Sequence, residues 1–163
     1  YLERLRELSP LGYDALLYLE QPTERDLTQS RFDMSGVSAL KPVVVDEGVT
    51  SVEMMDLAIE LGWSGVGLKT CKGHSSAMLY VAKAVEQNLV LTFQDLTNPG
   101  YCLIHEAGFA GRIDTLMGFE YNSRQYMPQA NEAIKGTHEG LVTVRDGHVS
   151  LASLQGPGLG YQE

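Results

Sequence analysis

The chain has 163 residues, of which 44% are hydrophobic, and this length and composition allow one domain with a buried core. There are 21 Asp and Glu against 12 Lys and Arg, and the formal net charge of −9 argues against nucleic acid as the main partner. No apolar run approaches the roughly 20 residues of a membrane-spanning helix, and the two cysteines are too few for a disulfide framework or a thiolate metal site, which favours a reducing cytosol.

The chain opens with YLERLRELSP, which resembles the end of a helix. This opening has no initiator Met and no secretion signal. We therefore expect further residues to precede Tyr1 in the parent protein.

Five short apolar runs alternate with longer helical patterns, the arrangement typical of parallel strands joined by crossover helices. Each run ends in a charged residue. The steps from Glu20 to Asp46, Lys69, Asp95 and Glu120 are 26, 23, 26 and 25 residues, which is the length of one strand plus one helix. The runs are ALLYLE (15–20), PVVVD (42–46), GVGLK (65–69), LVLTFQD (89–95) and TLMGFE (115–120).

Helix start and stop signals lie between these runs. Thr50 and Glu53 form a capping box for the first helix, and Asn98 with Pro99 is a typical cap and first turn for the third. Gly62 predicts the end of the first helix, and Gly108 and Gly111 predict the end of the third. The predicted helices run from Thr50 to Gly62, from Ser75 or Ser76 to Asn88, from Asn98 to a break at Gly108 and Gly111, and over 125–135.

The pattern changes after Gly136. LVTVRDGHVSLA places Asp146 and Gly147 between two alternating runs and predicts a hairpin, and QGPGLGYQE is an irregular tail. No segment has the composition of a linker, so we predict one domain over 1–163.

The carboxyl ends of parallel strands meet at one edge of a sheet, where functional groups collect. We therefore expect the charged ends of the runs to face one another. Glu20 and Asp46, with Glu47 as a possible third, are oxygen ligands that suit a hard divalent cation such as Mg²⁺. Lys69 adds a candidate base. The alternative for any single residue is a solvated or salt-bridged surface charge.

Four motifs resemble, in order and spacing, the enolase superfamily, and within it the mandelate-racemase and muconate-lactonizing branch. They are LEQP with Glu20, VVVDEG with Asp46 and Glu47, GLKTCKG with Lys69 and Lys72, and PGLG at 157–160, and they cover nearly the whole chain. The resemblance implies a partial TIM-type (β/α) barrel that comprises strands four to eight and a C-terminal hairpin and tail. The capping domain and first three strands of such proteins have no counterpart here.

The resemblance also implies roles for residues. Glu20 and Asp46 correspond to the second and third Mg²⁺ ligands, Lys69 to the acid/base lysine, and Glu47 to a hydrogen-bonding partner of the metal ligands. The implied reaction removes the proton α to a carboxylate, leading to dehydration, racemisation, epimerisation or cycloisomerisation of a small carboxylate substrate such as an acid sugar. We expect this chain alone to be inactive and to need its missing N-terminal half or a second copy.

Other polar residues have weaker signals. Lys72, Asp95 and Glu120 are candidate substrate-side groups, with surface charges as the alternative. His105 reads as a structural histidine, and no histidine spacing predicts a zinc site. Cys71 has no base beside it in the sequence and is expected to line the pocket as a small apolar group.

Two alternatives remain at this point. One is a non-catalytic binding or assembly module that keeps the fold without the full metal site. The other is a five-stranded doubly wound sheet, whose ligand would lie at the carboxyl edge. Strand order separates the two folds. The strands of a barrel segment lie in consecutive order, whereas the strand order of a doubly wound sheet reverses within the sheet.

Overall fold

A computed structural model describes residues 1–94 and 97–160. The chain forms two compact units. The first comprises Tyr1–Leu68 and Ser75–Thr92, and the second comprises Lys69–His74 and the residues from Phe93 onward.

The first unit is built on a sheet with helices between its strands. Its elements are α1 (Leu2–Leu8), α2 (Pro10–Ala15), β1 (Leu19–Glu20), α3 (Ser35–Ser38), β2 (Val43–Val45), α4 (Val52–Glu60), β3 (Gly65–Leu68), α5 (His74–Gln87, of which His74 belongs to the second unit) and β4 (Val90–Phe93, of which Phe93 does).

The sheet has the strand order β1-β2-β3-β4. β1 and β3 pair in parallel with β2, with Glu20 opposite Val44 and Val44 opposite Gly65. All residues of β2 and β3 are buried, as expected for parallel strands covered on both faces. The consecutive order confirms the predicted α/β barrel segment and excludes the doubly wound sheet.

The cap of α4 lies one residue later than predicted. The hydroxyl of Ser51, not Thr50, accepts a hydrogen bond from the Met54 N–H at 3.3 Å. The Ser51 side chain also lowers the pKa of Glu53, followed by that residue's own N–H, so Glu53 contacts the side chain of Ser51 and the predicted Thr50–Glu53 capping box is wrong. Gly62 ends the helix with φ +79°, a conformation that favours glycine.

Gly65 of β3 has no room for a side chain. A Cβ atom there would lie 2.4 Å from Val90 Cγ2 and 2.9 Å from Val44 Cγ2. We expect Gly65→Ala to lower the free energy of unfolding by about 1–3 kcal/mol, the usual cost of overpacking a core. Urea denaturation followed by the fluorescence of Trp63, the only tryptophan, measures this change.

Gly36 supplies the matched control. Its Cβ position has nothing within 4 Å, and it lies on α3, so Gly36→Ala should be neutral or stabilising by about 0.4–1 kcal/mol. Equal stability of Gly65→Ala and the parent chain would contradict the packing of β3 between its neighbours.

The second unit is helical and packs around its own core. Its elements are a 3-10 helix (Thr70–Lys72), α6 (Tyr101–Ala110), α7 (Ser123–Tyr126), a 3-10 helix (Pro128–Asn131) and α8 (Glu132–Val142). The core cluster consists of Leu103, Ile104, Ala107, Ile134, Leu141 and Leu154.

The predicted strand over 115–120 is wrong. The Thr115 hydroxyl donates to the Gly118 carbonyl at 2.6 Å and Gly118 has φ +82°, so a local turn interrupts the run. One strand-like contact remains: the Glu120 N–H donates to the Phe93 carbonyl at 3.0 Å. The described residues therefore contain four strands in place of the predicted five.

The helix predicted to begin at Asn98, which is α6, also starts later than predicted. Gly100, with φ +60°, is the N-cap of α6. Asn98 is buried, and its side-chain amide donates to Glu106 Oε2 at 3.1 Å. Gly108 lies within α6, which continues to Ala110.

The hairpin turn is confirmed and the strands beside it are not. Arg145 and His148 exchange two backbone hydrogen bonds of 2.8 and 2.9 Å around Asp146 and Gly147, whose φ angles are +50° and +77°. This is a two-residue turn of the type that the Asp-Gly pair favours. The pairing stops after that single bridge.

In the described part of the chain, no helix has both the length and the apolar character needed to cross a membrane.

Candidate functional site

The carboxyl ends of β1 and β2 are tied together by one side chain. The Gln21 N–H donates to the Val44 carbonyl at 2.9 Å. The Gln21 side-chain oxygen accepts from the N–H groups of Asp46 at 3.0 Å and of Gly48 at 3.1 Å. Gln21 has φ +33°, an uncommon value for a residue other than glycine. The turn after β2 is therefore held against the end of β1.

Glu20 and Asp46 stand at this edge. Glu20 is the last residue of β1 and is exposed, and Asp46 follows β2 and is fully buried. Because Glu20 is opposite Val44 and Asp46 lies two residues beyond Val44, strand alternation gives both carboxylates the same face. Asp is rarely fully buried unless it is paired or binds a metal.

Glu47 points to another partner. Its carboxylate accepts from the Arg25 guanidinium at 3.4 Å, and Arg25 is 75% exposed. An ion pair of this kind contributes little to stability. Glu47 follows Asp46 in the chain, and its side chain is partly exposed.

The donor chemistry at this edge fits a hard cation. Two carboxylates supply the oxygen ligands that Mg²⁺ prefers, and Mg²⁺ keeps several water ligands. Within residues 1–94 and 97–160, no group of three or more Asp, Glu, His or Cys side chains is arranged to hold a metal. The chain thus offers Glu20 and Asp46 as a pair of candidate ligands and not a complete set.

Lys69 begins the second unit. It follows β3 directly, is 6% exposed, and has an extended backbone with φ −140° and ψ 115°. Its carbonyl accepts from the Lys72 N–H at 3.1 Å in the 3-10 helix that follows. Lys72 itself is half-buried.

The remaining sequence-predicted residues have different settings. Asp95 lies outside the described residues. Glu120 is half-buried and lines a cavity of about 700 Å³ in the second unit, together with Tyr121, Arg124 and His148. This cavity has both acidic and basic groups on its walls.

Cys71 carries an exposed thiol, and Cys102 is also free. Partial burial raises the pKa of the Cys71 thiol, and the nearby Glu106 carboxylate raises it further. A raised pKa leaves less thiolate at neutral pH, and the thiolate is the reactive form. This supports the expectation that Cys71 is not a nucleophile.

We expect iodoacetamide to modify Cys71 more slowly in the folded chain at pH 7 than in the same chain unfolded in urea, because the folded thiol is less ionised. The folded rate should keep rising with pH beyond the range of an ordinary cysteine. Mass spectrometry of Cys102→Ser isolates this site. Equal folded and unfolded rates at pH 7 would contradict the raised pKa.

Sequence reasoning missed two features. Gln21 lies in the LEQP motif, but nothing in the local sequence pattern predicted that its side chain bridges the ends of β1 and β2. His74 and His105 have their ring centres 5.2 Å apart in the second unit, although they lie 31 residues apart in the sequence. A further histidine, His138, is buried, and its Nδ1 is hydrogen-bonded to Ser153 Oγ at 2.8 Å.

No family model and no curated protein matches the chain. Solved structures do. An unknown member of the enolase superfamily from Enterococcus faecalis V583 aligns with a TM-score of 0.60 at 21% identity, over 74% of this chain and 33% of that one. For 2-chloromuconate cycloisomerase from Rhodococcus opacus 1CP the TM-score is 0.58 at 25% identity, over 74% and 34%.

A dipeptide epimerase from Cytophaga hutchinsonii, complexed with Mg and the dipeptide D-Ala-L-Val, aligns with a TM-score of 0.58 at 18% identity, over 74% and 32%. The chain therefore spans about a third of the length of these relatives. Their shared fold, the parallel sheet and the consecutive strand order agree with the resemblance found in the four motifs. The chain has the fold of the C-terminal barrel part of enolase-superfamily proteins of the mandelate-racemase and muconate-lactonizing type.

Proposed function

We propose that this chain is the C-terminal part of a Mg²⁺-dependent enzyme that removes the proton α to a carboxylate. The products would arise by dehydration, racemisation, epimerisation or cycloisomerisation of a small carboxylate substrate. Support comes from the similar structures, which include a cycloisomerase and an epimerase complexed with Mg and a dipeptide.

The register of β1 and β2 is the observation that carries the proposal. It gives Glu20 and Asp46 the same face of the same sheet edge, and the Gln21 amide holds the turn after β2 in place. A fully buried Asp46 is costly unless it serves a charge partner or a cation. These two carboxylates are the proposed protein ligands of Mg²⁺.

When bound, Mg²⁺ would stabilise the negative charge that develops on the substrate carboxylate as the α-proton leaves. The Lys69 amine is the proposed base. It accepts the α-proton and becomes an ammonium, and the electron pair of the broken C–H bond stays on the substrate. In a racemisation or epimerisation, a proton is then returned to the same carbon.

Three properties support Lys69 in this role. It follows β3 directly and has an extended backbone. It is also almost fully buried. We propose Glu47, Lys72, Asp95 and Glu120 as supporting or substrate-side groups.

We propose that the rest of the site comes from outside this chain. The relatives are about three times as long, and the described residues contain no third ligand grouped with the two carboxylates. The missing part would be an N-terminal segment with the first three barrel strands and the cap, or a second copy. This chain alone is then expected to be inactive.

The test is exchange of the α-proton in D₂O. The intact protein should exchange deuterium into at least one acid of a carboxylate panel with Mg²⁺ present and should stop when EDTA removes the metal. NMR detects the loss of the α-proton signal. Exchange that continues unchanged in EDTA would exclude the proposed role of Mg²⁺.

A non-catalytic module is the second candidate. It is favoured by one observation, that no three ligating side chains are grouped within residues 1–94 and 97–160. Under this alternative the intact protein would bind no Mg²⁺ at Glu20 and Asp46 and would exchange no acid of the panel.

A further inference from the structure

Two histidines of the second unit are in direct contact. His74 is the first residue of α5 and is separated from the 3-10 helix Thr70–Lys72 by Gly73, and His105 lies in the middle of α6. Their ring centres are 5.2 Å apart and the ring planes are at 82°. Both side chains are half-buried, so the pair is fixed by packing and still open to solvent.

The ring nitrogens of this pair differ from those of the other two histidines. His138 Nδ1 is bonded to Ser153 Oγ, and His148 Nδ1 to the Asp146 carbonyl, both at 2.8 Å. In the part of the chain that the structure describes, no hydrogen bond is made to a ring nitrogen of His74 or His105. Their nitrogens are therefore available to a ligand.

The separation of the rings suits a shared metal ion. Two imidazoles that bind one tetrahedral ion through metal–nitrogen bonds of about 2.0–2.1 Å have ring centres roughly 5 Å apart. The observed separation falls in this range without any movement of α6 relative to residues 69–74 of the same unit.

We propose that His74 and His105 form a binding site for a borderline transition-metal cation such as Zn²⁺, with water as the remaining ligands. Imidazole is a preferred ligand of zinc, copper and nickel and is a poor match for Mg²⁺. The site thus differs in chemistry from the carboxylate pair Glu20 and Asp46, and its existence does not depend on the proposed function.

The protonation state of His74 favours metal binding. Partial burial lowers the pKa of His74, and the proximity of His105 lowers it further. A lowered pKa keeps His74 neutral at neutral pH, and the neutral imidazole is the form that binds metals.

The neighbouring cysteines are not ligands of this site as it is built. Cys71 precedes His74 by three residues and Cys102 precedes His105 by three, and both thiols are exposed. However, no group of three or more ligating side chains is found among the described residues. The proposed protein ligands within residues 1–94 and 97–160 are therefore the two imidazoles, which are open to water.

Calorimetric titration of Zn²⁺ into the full chain tests the proposal, with excess Mg²⁺ in the buffer to occupy any hard-cation site. One Zn²⁺ should bind per chain. His74→Ala and His105→Ala should each weaken binding by at least about tenfold, since even residues that only orient metal ligands are worth about 10–100-fold in affinity. His148→Ala is the matched control and should bind as the parent chain does.

A second measurement uses the unaltered chain, in case a substitution disturbs folding. Zn²⁺ should shift the imidazole NMR signals of His74 and His105 and leave those of His138 and His148 unchanged. The proposal is overturned if Zn²⁺ does not bind, if both histidine variants bind as tightly as the parent chain, or if only Cys71→Ser and Cys102→Ser abolish binding.

Discussion

Replacing Lys69 with alanine in the intact protein is expected to slow α-proton exchange by at least about 100-fold, the lower end of what a positioned acid or base contributes. The proposed reason is that the amine is the group that takes the proton, so no other side chain replaces it at the same position. Deuterium incorporation into the acid that the parent protein exchanges fastest gives the rate.

Lys72→Ala is the matched control for this experiment. It removes the same charge three residues away, where the side chain is half-buried and no proton transfer is assigned to it. We expect a change of less than about tenfold, with circular dichroism unchanged for both variants. Lys69→Ala with parental exchange would remove Lys69 from the mechanism, and a larger loss in Lys72→Ala would transfer the role to Lys72.

The second large effect is expected at Asp46. Asp46→Asn keeps the shape of the side chain and removes its charge, so the proposed Mg²⁺ site loses one of its two carboxylates. We expect Mg²⁺ affinity of the intact protein to fall by at least about tenfold, since loss of residues that merely support metal ligands already costs about 10–100-fold. Isothermal titration calorimetry measures it directly.

Asp14→Asn provides the same change of charge at an exposed position of α2 and should leave the affinity unaltered. Far-ultraviolet circular dichroism separates loss of the ligand from loss of the fold, because Asp46 is buried. Parental Mg²⁺ affinity in folded Asp46→Asn would show that the cation is held elsewhere.

The four strands could be predicted because each is a short apolar run that ends at a charged residue, with one helix between successive runs. The fifth run has the same appearance in the sequence. Its failure has a local cause, since the Thr115 hydroxyl bonds to the Gly118 carbonyl and Gly118 takes a positive φ. Hydrophobic pattern does not reveal this competition between a turn and a strand.

The starts of the first three predicted helices were correct to within a few residues for a similar reason, whereas the predicted helix over 125–135 is wrong, because α7, a 3-10 helix and the start of α8 share that stretch. Thr50 and Ser51 are both good caps, and the chain uses the second. Asn98 has the chemistry of a cap, but the N-cap is Gly100, and the Asn98 side-chain amide donates to Glu106, eight residues along the chain. Local propensity identifies the helix but not its first residue.

Long-range contacts of side chains were beyond the reach of the sequence. Glu20 and Asp46 were indicated by their strand ends, whereas the Gln21 amide that joins those ends was not. The contact of His74 with His105 depends on how α6 packs within the second unit, and no spacing rule relates the two.

A crystal structure of the intact protein grown with Mn²⁺ in place of Mg²⁺ tests the central claim most directly, because the anomalous signal of manganese locates the ion. We predict one ion bound by the carboxylates of Glu20 and Asp46, with the Lys69 amine directed toward that ion. An ion bound away from these two carboxylates, or a Lys69 amine directed away from the ion, would contradict this prediction.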